Sequence, residues 1–137
     1  MIYVFDSSFV GALIIPDEMN PRAKEIRAVI GEDEDIFIPQ LFWYEIANIF
    51  KNLIRRKRFT IDEVNQLFPL LVAIRFSEDS ETGIDYFKRL LRLCNDYNLS
   101  SYDAAYLELA GRKKATLCTM DDKLRLAAKR YGLQVLR

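Results

Sequence analysis

Four acidic residues lie where a carboxylate could act on a bound substrate. Asp6 directly follows an apolar, β-rich run at the N-terminus, and Asp121 lies two residues beyond a similar run near the C-terminus. Asp103 falls in the first turn of a strongly apolar helix, and Glu45 borders the apolar stripe of a long helix. In parallel sheets, ligands bind outside the carboxyl ends of the strands. These positions therefore predict an acidic cluster at that edge, provided that the two strands are neighbours.

A cluster of this kind is typical of a site for a hard divalent cation. Crowded carboxylates repel one another and raise each other's pKa unless a positive charge neutralises them. Mg²⁺ and Mn²⁺ prefer oxygen ligands and keep several waters, one of which can become a nucleophile. The sequence contains no histidine, which excludes the commonest general base and most zinc sites. The acids therefore favour metal-assisted hydrolysis, with phosphodiesters as suitable substrates.

Each acid also has a simpler structural interpretation. Asp6 and Asp121 are placed where a side chain can cap a helix or favour its N-terminus. Asp103 lies three residues after Ser100, which is the spacing of a capping box. Glu45 could pair with a cation at the edge of its helix. The residues alone leave both interpretations open.

The composition is that of one domain with a sufficient core. The chain has 137 residues, half of them apolar, and a net charge of zero, so no global positive field attracts nucleic acid. No apolar run approaches the roughly 20 residues that a membrane span needs, and the N-terminus does not resemble a signal peptide. We therefore expect a soluble, cytoplasmic protein. Cys94 and Cys118 are too few for a disulfide framework and are expected to be reduced and buried.

Short apolar runs alternate with amphipathic segments along the chain. This alternation predicts an α/β sandwich on a parallel sheet. Strands are expected at 2–5, 36–38, 73–76, 115–118 and 133–136. Helices are expected at about 9–14, 21–30, 40–57, 61–71, 81–97, 101–112 and 124–131. Pro69 is expected to kink its helix, and the helix at 81–97 is expected to bury Ile84, Phe87, Leu91 and Cys94.

A basic run ends the helix expected at 40–57. Its members are Arg55, Arg56, Lys57 and Arg58. The helix dipole favours cations at a helix C-terminus, and this alone would explain them. The same cluster could contact the phosphate backbone of a nucleic acid. The two interpretations are compatible, and they predict at most a local basic patch.

Four segments occur in a fixed order over essentially the whole chain. They are the strand ending in Asp6 with Ser8 two later, Pro39 followed by Glu45 and Asn48, residues 99–110 around Asp103, and residues 117–124 around Asp121. In this order they resemble the segments of the PIN-domain ribonucleases, and within them the VapC-type toxins of bacterial and archaeal toxin–antitoxin pairs. The resemblance implies a single PIN-like nuclease domain over residues 1–137, with a three-layer α/β/α sandwich on a short central parallel sheet.

The resemblance also implies roles for individual residues. Asp6, Asp103 and Asp121 would bind Mg²⁺ or Mn²⁺, and Glu45 would bind metal through water or position the nucleophile. Ser8 and Thr119 would either bind the metal through their hydroxyls or orient the groups that do. Asn48 would support a metal ligand. The family's closing motif has its acid two residues after a threonine, which favours Asp121 over Asp122. Asp122 is interpreted as a helix cap, since it lies three residues after Thr119.

The implied function is RNA cleavage by water attack. The resemblance further implies a homodimer and a cognate antitoxin with a segment that covers the acidic pocket. Two alternatives within the family are an RNA-processing nuclease that is not a toxin and a non-catalytic module that binds RNA or protein. A phosphatase with Asp6 as nucleophile is disfavoured, because Ser8 stands where that chemistry would want a second aspartate.

Overall fold

A five-stranded parallel sheet lies at the centre of the protein. The structure, a computed structural model, describes residues 1–136. The strands are β1 (Ile2–Phe5), β2 (Asp35–Ile38), β3 (Ser77–Glu78), β4 (Thr116–Cys118) and β5 (Val135–Leu136), in the order β3-β2-β1-β4-β5. The chain passes from β1 to β2 on one side and later returns to β4 on the other. The strand order therefore reverses at β1, which is where open α/β sheets place their ligands.

Helices cover both faces of this sheet. They are α1 (Ser7–Ile14), α2 (Pro21–Val29), α3 (Leu41–Arg55), α4 (Ile61–Asn65), α5 (Phe68–Ile74), α6 (Gly83–Tyr97), α7 (Ser101–Lys113) and α8 (Asp122–Tyr131). Local sequence sets several of their ends: Asn20 caps α2, Thr60 and Glu63 form a capping box on α4, and Gly132 ends α8 with a φ of 103°. None of the helices within residues 1–136 has the length and apolarity needed to cross a membrane.

The core divides into two layers because successive strand residues point to opposite faces of the sheet. Phe5 and Ile38 join the core formed with α1 to α5, whereas Val4 and Leu117 join the core formed with α6 to α8. The three-layer α/β/α architecture predicted from the sequence is confirmed.

Strand register sets the position of the first acid. Phe5 is paired with Cys118 in the parallel ladder between β1 and β4. The Asp6 amide continues that ladder by donating to the Cys118 carbonyl over 3.2 Å. Asp6 and Thr119 therefore lie side by side at the carboxyl edge of the sheet.

Two predictions about the middle of the chain are wrong. Pro69 does not kink a continuous helix: α4 ends at Asn65, and Pro69 lies in the first turn of α5, where its missing N–H is tolerated. The strand expected at 73–76 is displaced to Ser77–Glu78, because Ile74 belongs to the last turn of α5 and packs in the core.

The orientation of α6 also differs from the prediction. Ile84, Phe87 and Leu91 are 65%, 53% and 57% exposed rather than buried, and Cys94 is only partly buried. The helix instead turns Leu93 into the core against α7. Apolar residues occupy two sides of this helix, so the pattern alone does not show which side packs against the sheet layer.

We expect Leu117→Ala to lower the free energy of unfolding by about 3 kcal/mol, because the side chain is fully buried in the central layer and its removal leaves a cavity. Urea denaturation would measure the change. Leu126→Ala, the same truncation at an exposed position on α8, should stay within about 0.5 kcal/mol of the wild type. Equal losses for the two variants would contradict the position of β4.

Candidate active site

Asp6 is a buried carboxylate held by three groups that follow β1 and β4. Its Oδ1 accepts hydrogen bonds from the Phe9 amide at 2.8 Å and the Ser8 hydroxyl at 2.7 Å, and its Oδ2 accepts one from the Thr119 hydroxyl. The residue is only 4% exposed. Burial raises the pKa of Asp6 to about 6; these three donors lower it, and the charge of Glu45 raises it further.

Thr119 and Ser8 connect Asp6 to the segment that carries Asp121. The Thr119 hydroxyl oxygen accepts from the Asp121 amide at 3.0 Å, and the Ser8 hydroxyl oxygen accepts from the Met120 amide at 3.0 Å. The two hydroxyl oxygens are 3.4 Å apart. Asp121 then caps α8, since its Oδ1 accepts from the Leu124 amide at 2.8 Å. The hydroxyls therefore fix the relative positions of two of the predicted acids.

Glu45 is positioned from two other helices. Its Oε1 accepts a hydrogen bond from the Tyr106 hydroxyl at 2.5 Å and another from the Ser7 hydroxyl at 3.2 Å. Burial raises the pKa of Glu45, the two hydroxyl donors lower it, and the charge of Asp103 raises it again. The phenol of Tyr106 is almost fully buried, and its pKa is raised by burial and by its bond to Glu45.

Asp103 is half-buried at the start of α7. The Ser100 hydroxyl caps this helix by accepting from the Asp103 amide at 3.2 Å. Burial raises the pKa of Asp103, as does the charge of Asp121, while Lys123 and the Ser100 hydroxyl lower it. The capping function thus belongs to Ser100, and the Asp103 carboxylate lies close enough to Asp121 for their charges to interact.

The four acids form a connected group with a definite order. The charges of Asp6 and Glu45 interact, as do those of Glu45 and Asp103, and those of Asp103 and Asp121. Over residues 1–136, no three or more Asp, Glu, Cys or His side chains are close enough together to form a metal-holding group by themselves. The four carboxylates therefore interact through their charges without forming such a group.

Comparison with known proteins identifies the family. Residues 3–130 match the PIN domain family. The chain is a member of that family. Ribonuclease VapC3 from Pyrobaculum aerophilum is 27% identical to it over 128 residues, which cover 90% of this chain and 92% of that relative.

Two solved structures share the PIN fold of this chain. The crystal structure of PAE2754 from Pyrobaculum aerophilum superposes with a TM-score of 0.71 and 24% identity, covering 98% of this chain and 83% of that one. VapBC2 from Rickettsia felis, bound to a DNA fragment from their promoter, superposes with a TM-score of 0.70 and 14% identity, covering 98% and 97%. The resemblance found in the sequence is confirmed.

The capping interpretation holds for two acids of this PIN domain and fails for a third residue. Asp6 and Asp121 both cap helices, each through its Oδ1. Asp122 was expected to cap α8, but it lies one residue inside the helix, exposed, and pairs with Arg125 over 3.2 Å. The cap belongs to Asp121 because that residue has the extended backbone a cap requires, with φ −85° and ψ 119°.

Three residues of the site were missed in the sequence. Tyr106 and Ser7 hold Glu45, and Lys123 places a positive charge near Asp103. Tyr106 follows Asp103 by three residues and so lies on the same side of α7. A tyrosine in an apolar helix needs a partner for its hydroxyl, and this was the available signal.

The predicted supporting and RNA-contacting residues have different surroundings. Asn48 is exposed and lines a cavity with Glu45. Arg58 binds Asp17 in a fork and also binds Glu18, which offers a purely structural role for that residue. The basic run begins ten residues after Glu45, about 15 Å along α3, so any contact of Arg55, Arg56 and Lys57 with RNA lies away from the acids.

We expect the stability of the metal-free protein to fall between about pH 4 and pH 6 because of Asp6. Its pKa is higher folded than unfolded, so the folded state binds more protons in that window and loses stability as the pH rises. The Asp6→Asn variant lacks this loss. The stability difference between wild type and variant should shift by on the order of 3 kcal/mol from pH 4 to pH 7.

Urea denaturation in EDTA at several pH values would measure this difference. Asp33→Asn, in an exposed loop, should show a difference from wild type that does not change with pH. A pH-independent difference for Asp6→Asn as well would contradict the burial of a charged carboxylate at this edge.

Proposed function

We propose that this PIN-domain protein is a metal-dependent endoribonuclease, the toxin of a type II toxin–antitoxin pair acting in the cytoplasm. The main support is the gathering of Asp6, Glu45, Asp103 and Asp121 at the carboxyl edge of the sheet, where the strand order reverses. The 27% identical relative is a ribonuclease, and a structural neighbour is a VapBC complex.

The donor set fits Mg²⁺ or Mn²⁺. It consists of oxygen ligands, and burial together with mutual repulsion raises the pKa of three of the carboxyls, which is the condition a cation would relieve. Asp6, Asp103 and Asp121 would hold the ion, with Glu45 contributing through water. Mg²⁺ and Mn²⁺ keep several of their own waters, so such an ion would need only part of its ligands from the protein. When bound, the ion supplies an acidic water and stabilises charge on the phosphate.

The side chains around the acids have separate tasks in this mechanism. Ser8 and Thr119 keep Asp6 oriented. Tyr106 and Ser7 both donate to Oε1 of Glu45, so that its Oε2 can accept a proton from the attacking water. Its raised pKa favours this role as a base. The positive charge of Lys123 lies near Asp103 and would attract a phosphate of the RNA bound there.

We further propose that the protein is a homodimer that uses the outer face of α6. Ile84, Phe87 and Leu91 recur at intervals of three and four residues, so they form one exposed apolar stripe. Such stripes on soluble proteins mark contact surfaces. An antitoxin segment that covers the acidic group would complete the assembly, in keeping with the VapBC neighbour.

Asp103→Asn should reduce Mg²⁺- or Mn²⁺-dependent RNA cleavage by at least about a hundred-fold, because it removes a negative ligand from the metal site. The fold should remain, since the Ser100 cap uses only the Asp103 amide. Cleavage of labelled RNA and isothermal titration with Mn²⁺ would measure activity and metal binding. Expression of the wild type should arrest growth, and expression of the variant should not.

Asp122→Asn is the matched control, since it makes the same change in an exposed acid next to the site. Its cleavage rate should stay within about two-fold of the wild type. A wild-type rate for Asp103→Asn would show that the site is wrong. A wild-type protein that neither binds millimolar Mn²⁺ nor cuts RNA would instead favour a non-catalytic module.

Phe87→Glu should convert the dimer to a monomer, because it places a charge in the centre of the α6 stripe. Size-exclusion chromatography with light scattering would measure the mass. Val72→Glu places the same charge at another exposed apolar position, on α5, and should leave the dimer intact. A monomeric wild type, or a Phe87→Glu variant that stays dimeric, would contradict this interface.

A further inference from the structure

A cavity beside Glu45 has walls that, apart from Glu45 itself, have no task in the mechanism proposed above. Its volume is about 400 Å³, and it is lined by Leu41, Tyr44, Glu45, Asn48 and Tyr102. This volume is within the range of about 300 to 1,000 Å³ that is usual for small-molecule sites. Glu45 belongs both to the acidic group and to this wall, so whatever enters the cavity lies directly next to the catalytic centre.

The two tyrosines are unusually accessible. Tyr44 is 75% exposed and Tyr102 is 63% exposed. In the part of the chain that the structure describes, neither ring takes part in an aromatic pair, and neither hydroxyl makes a hydrogen bond. Two large aromatic rings that are left open on one cavity are better explained by a ligand than by packing.

The positions of these tyrosines follow from the two helices that carry the acids. Tyr44 directly precedes Glu45 on α3, and Tyr102 directly precedes Asp103 on α7. Neighbouring residues on a helix point about 100° apart. Because each acid points towards the sheet edge, the tyrosine before it points outwards, to the rim of the cavity. The same helix geometry that brings the acids together thus places an aromatic ring beside each of them.

Asn48 adds a polar group that can discriminate between ligands. It lies three residues after Glu45 on α3 and so shares its side of the helix. Among the described residues its amide makes no hydrogen bond. A free amide offers one donor and one acceptor group, which matches the edge of a nucleobase.

We propose that this cavity binds one unpaired base of the RNA substrate, stacked on Tyr44 or Tyr102 with its edge towards Asn48. The assignment rests on the proposed ribonuclease function. Single-stranded nucleic acids bind proteins by stacking of bases on aromatic side chains together with contacts to the backbone. A base held here leaves the adjoining phosphate next to Glu45 and Asp103. The subsite would thus select unpaired RNA and set the position of the cut relative to the bound base.

The test uses a single-stranded RNA nonamer that carries 2-aminopurine, whose fluorescence is quenched when it stacks. Binding is measured in EDTA, without turnover. The wild type should quench the probe, and the Tyr44→Ala/Tyr102→Ala double variant should lose the quenching and bind at least about ten-fold more weakly. Tyr44→Phe and Tyr102→Phe keep the rings and should retain the quenching. Phe68→Ala, which removes an exposed aromatic ring outside the cavity, should quench like the wild type.

Quenching that is absent in the wild type, or unchanged in the double alanine variant, would overturn the subsite even if the protein cuts RNA. Tyrosine-dependent quenching in a protein that cuts no RNA with Mn²⁺ would support the subsite and overturn the nuclease proposal. A double variant that changes from dimer to monomer in light scattering would assign the tyrosines to contact between two copies, and this would also overturn the subsite.

Discussion

The pairing of Phe5 with Cys118 determines where the proposed active site lies. It brings the residues after β1 and β4 together at one point of the sheet edge, so Asp6 is enclosed by the Thr119 hydroxyl and the start of α1. A one-residue slip of β4 would turn each side chain of that strand to the opposite face. Leu117 would then leave its core and Cys118 would leave the other. Burial of these side chains therefore enforces the register, and the register positions the acid.

Enclosing a carboxylate in this way has an energetic cost that the local structure reduces but does not remove. Asp6 accepts three hydrogen bonds, one of which also caps α1, yet its pKa is still raised to about 6. The hydrogen bonds to the charged carboxylate therefore lower its pKa by less than desolvation raises it. The charges of neighbouring acids raise these pKa values further, since Glu45 acts on Asp6 and Asp103 acts on Glu45. The carboxylates are thus less stable without a cation than they would be around one. Such a loss of stability is common where function is favoured.

The sequence predicted the features that depend on short-range rules. Acids that directly follow apolar strands or open a capped helix could be located, since strand ends and caps have local signatures. The orientation of α6 could not be predicted, because Leu93 and Phe87 are equally apolar and only the packing against α7 distinguishes them. The choice between Asp121 and Asp122 as helix cap depended on one backbone conformation. The Tyr106–Glu45 bond spans 61 residues and requires the tertiary fold.

That bond also explains how the two helical layers act as one site. Glu45 belongs to α3 in the layer on one face of the sheet, and Tyr106 belongs to α7 in the layer on the other. They meet past the carboxyl ends of the short strands, where nothing separates the layers. A longer β1 or β4 would keep the helices apart, so the shortness of these strands allows Glu45 and Tyr106 to meet. Since α3 and α7 each carry an acid with a tyrosine before it, the contact that aligns Glu45 with Asp103 also aligns Tyr44 with Tyr102. The proposed catalytic geometry and the proposed position of the substrate therefore both depend on the same contact between layers.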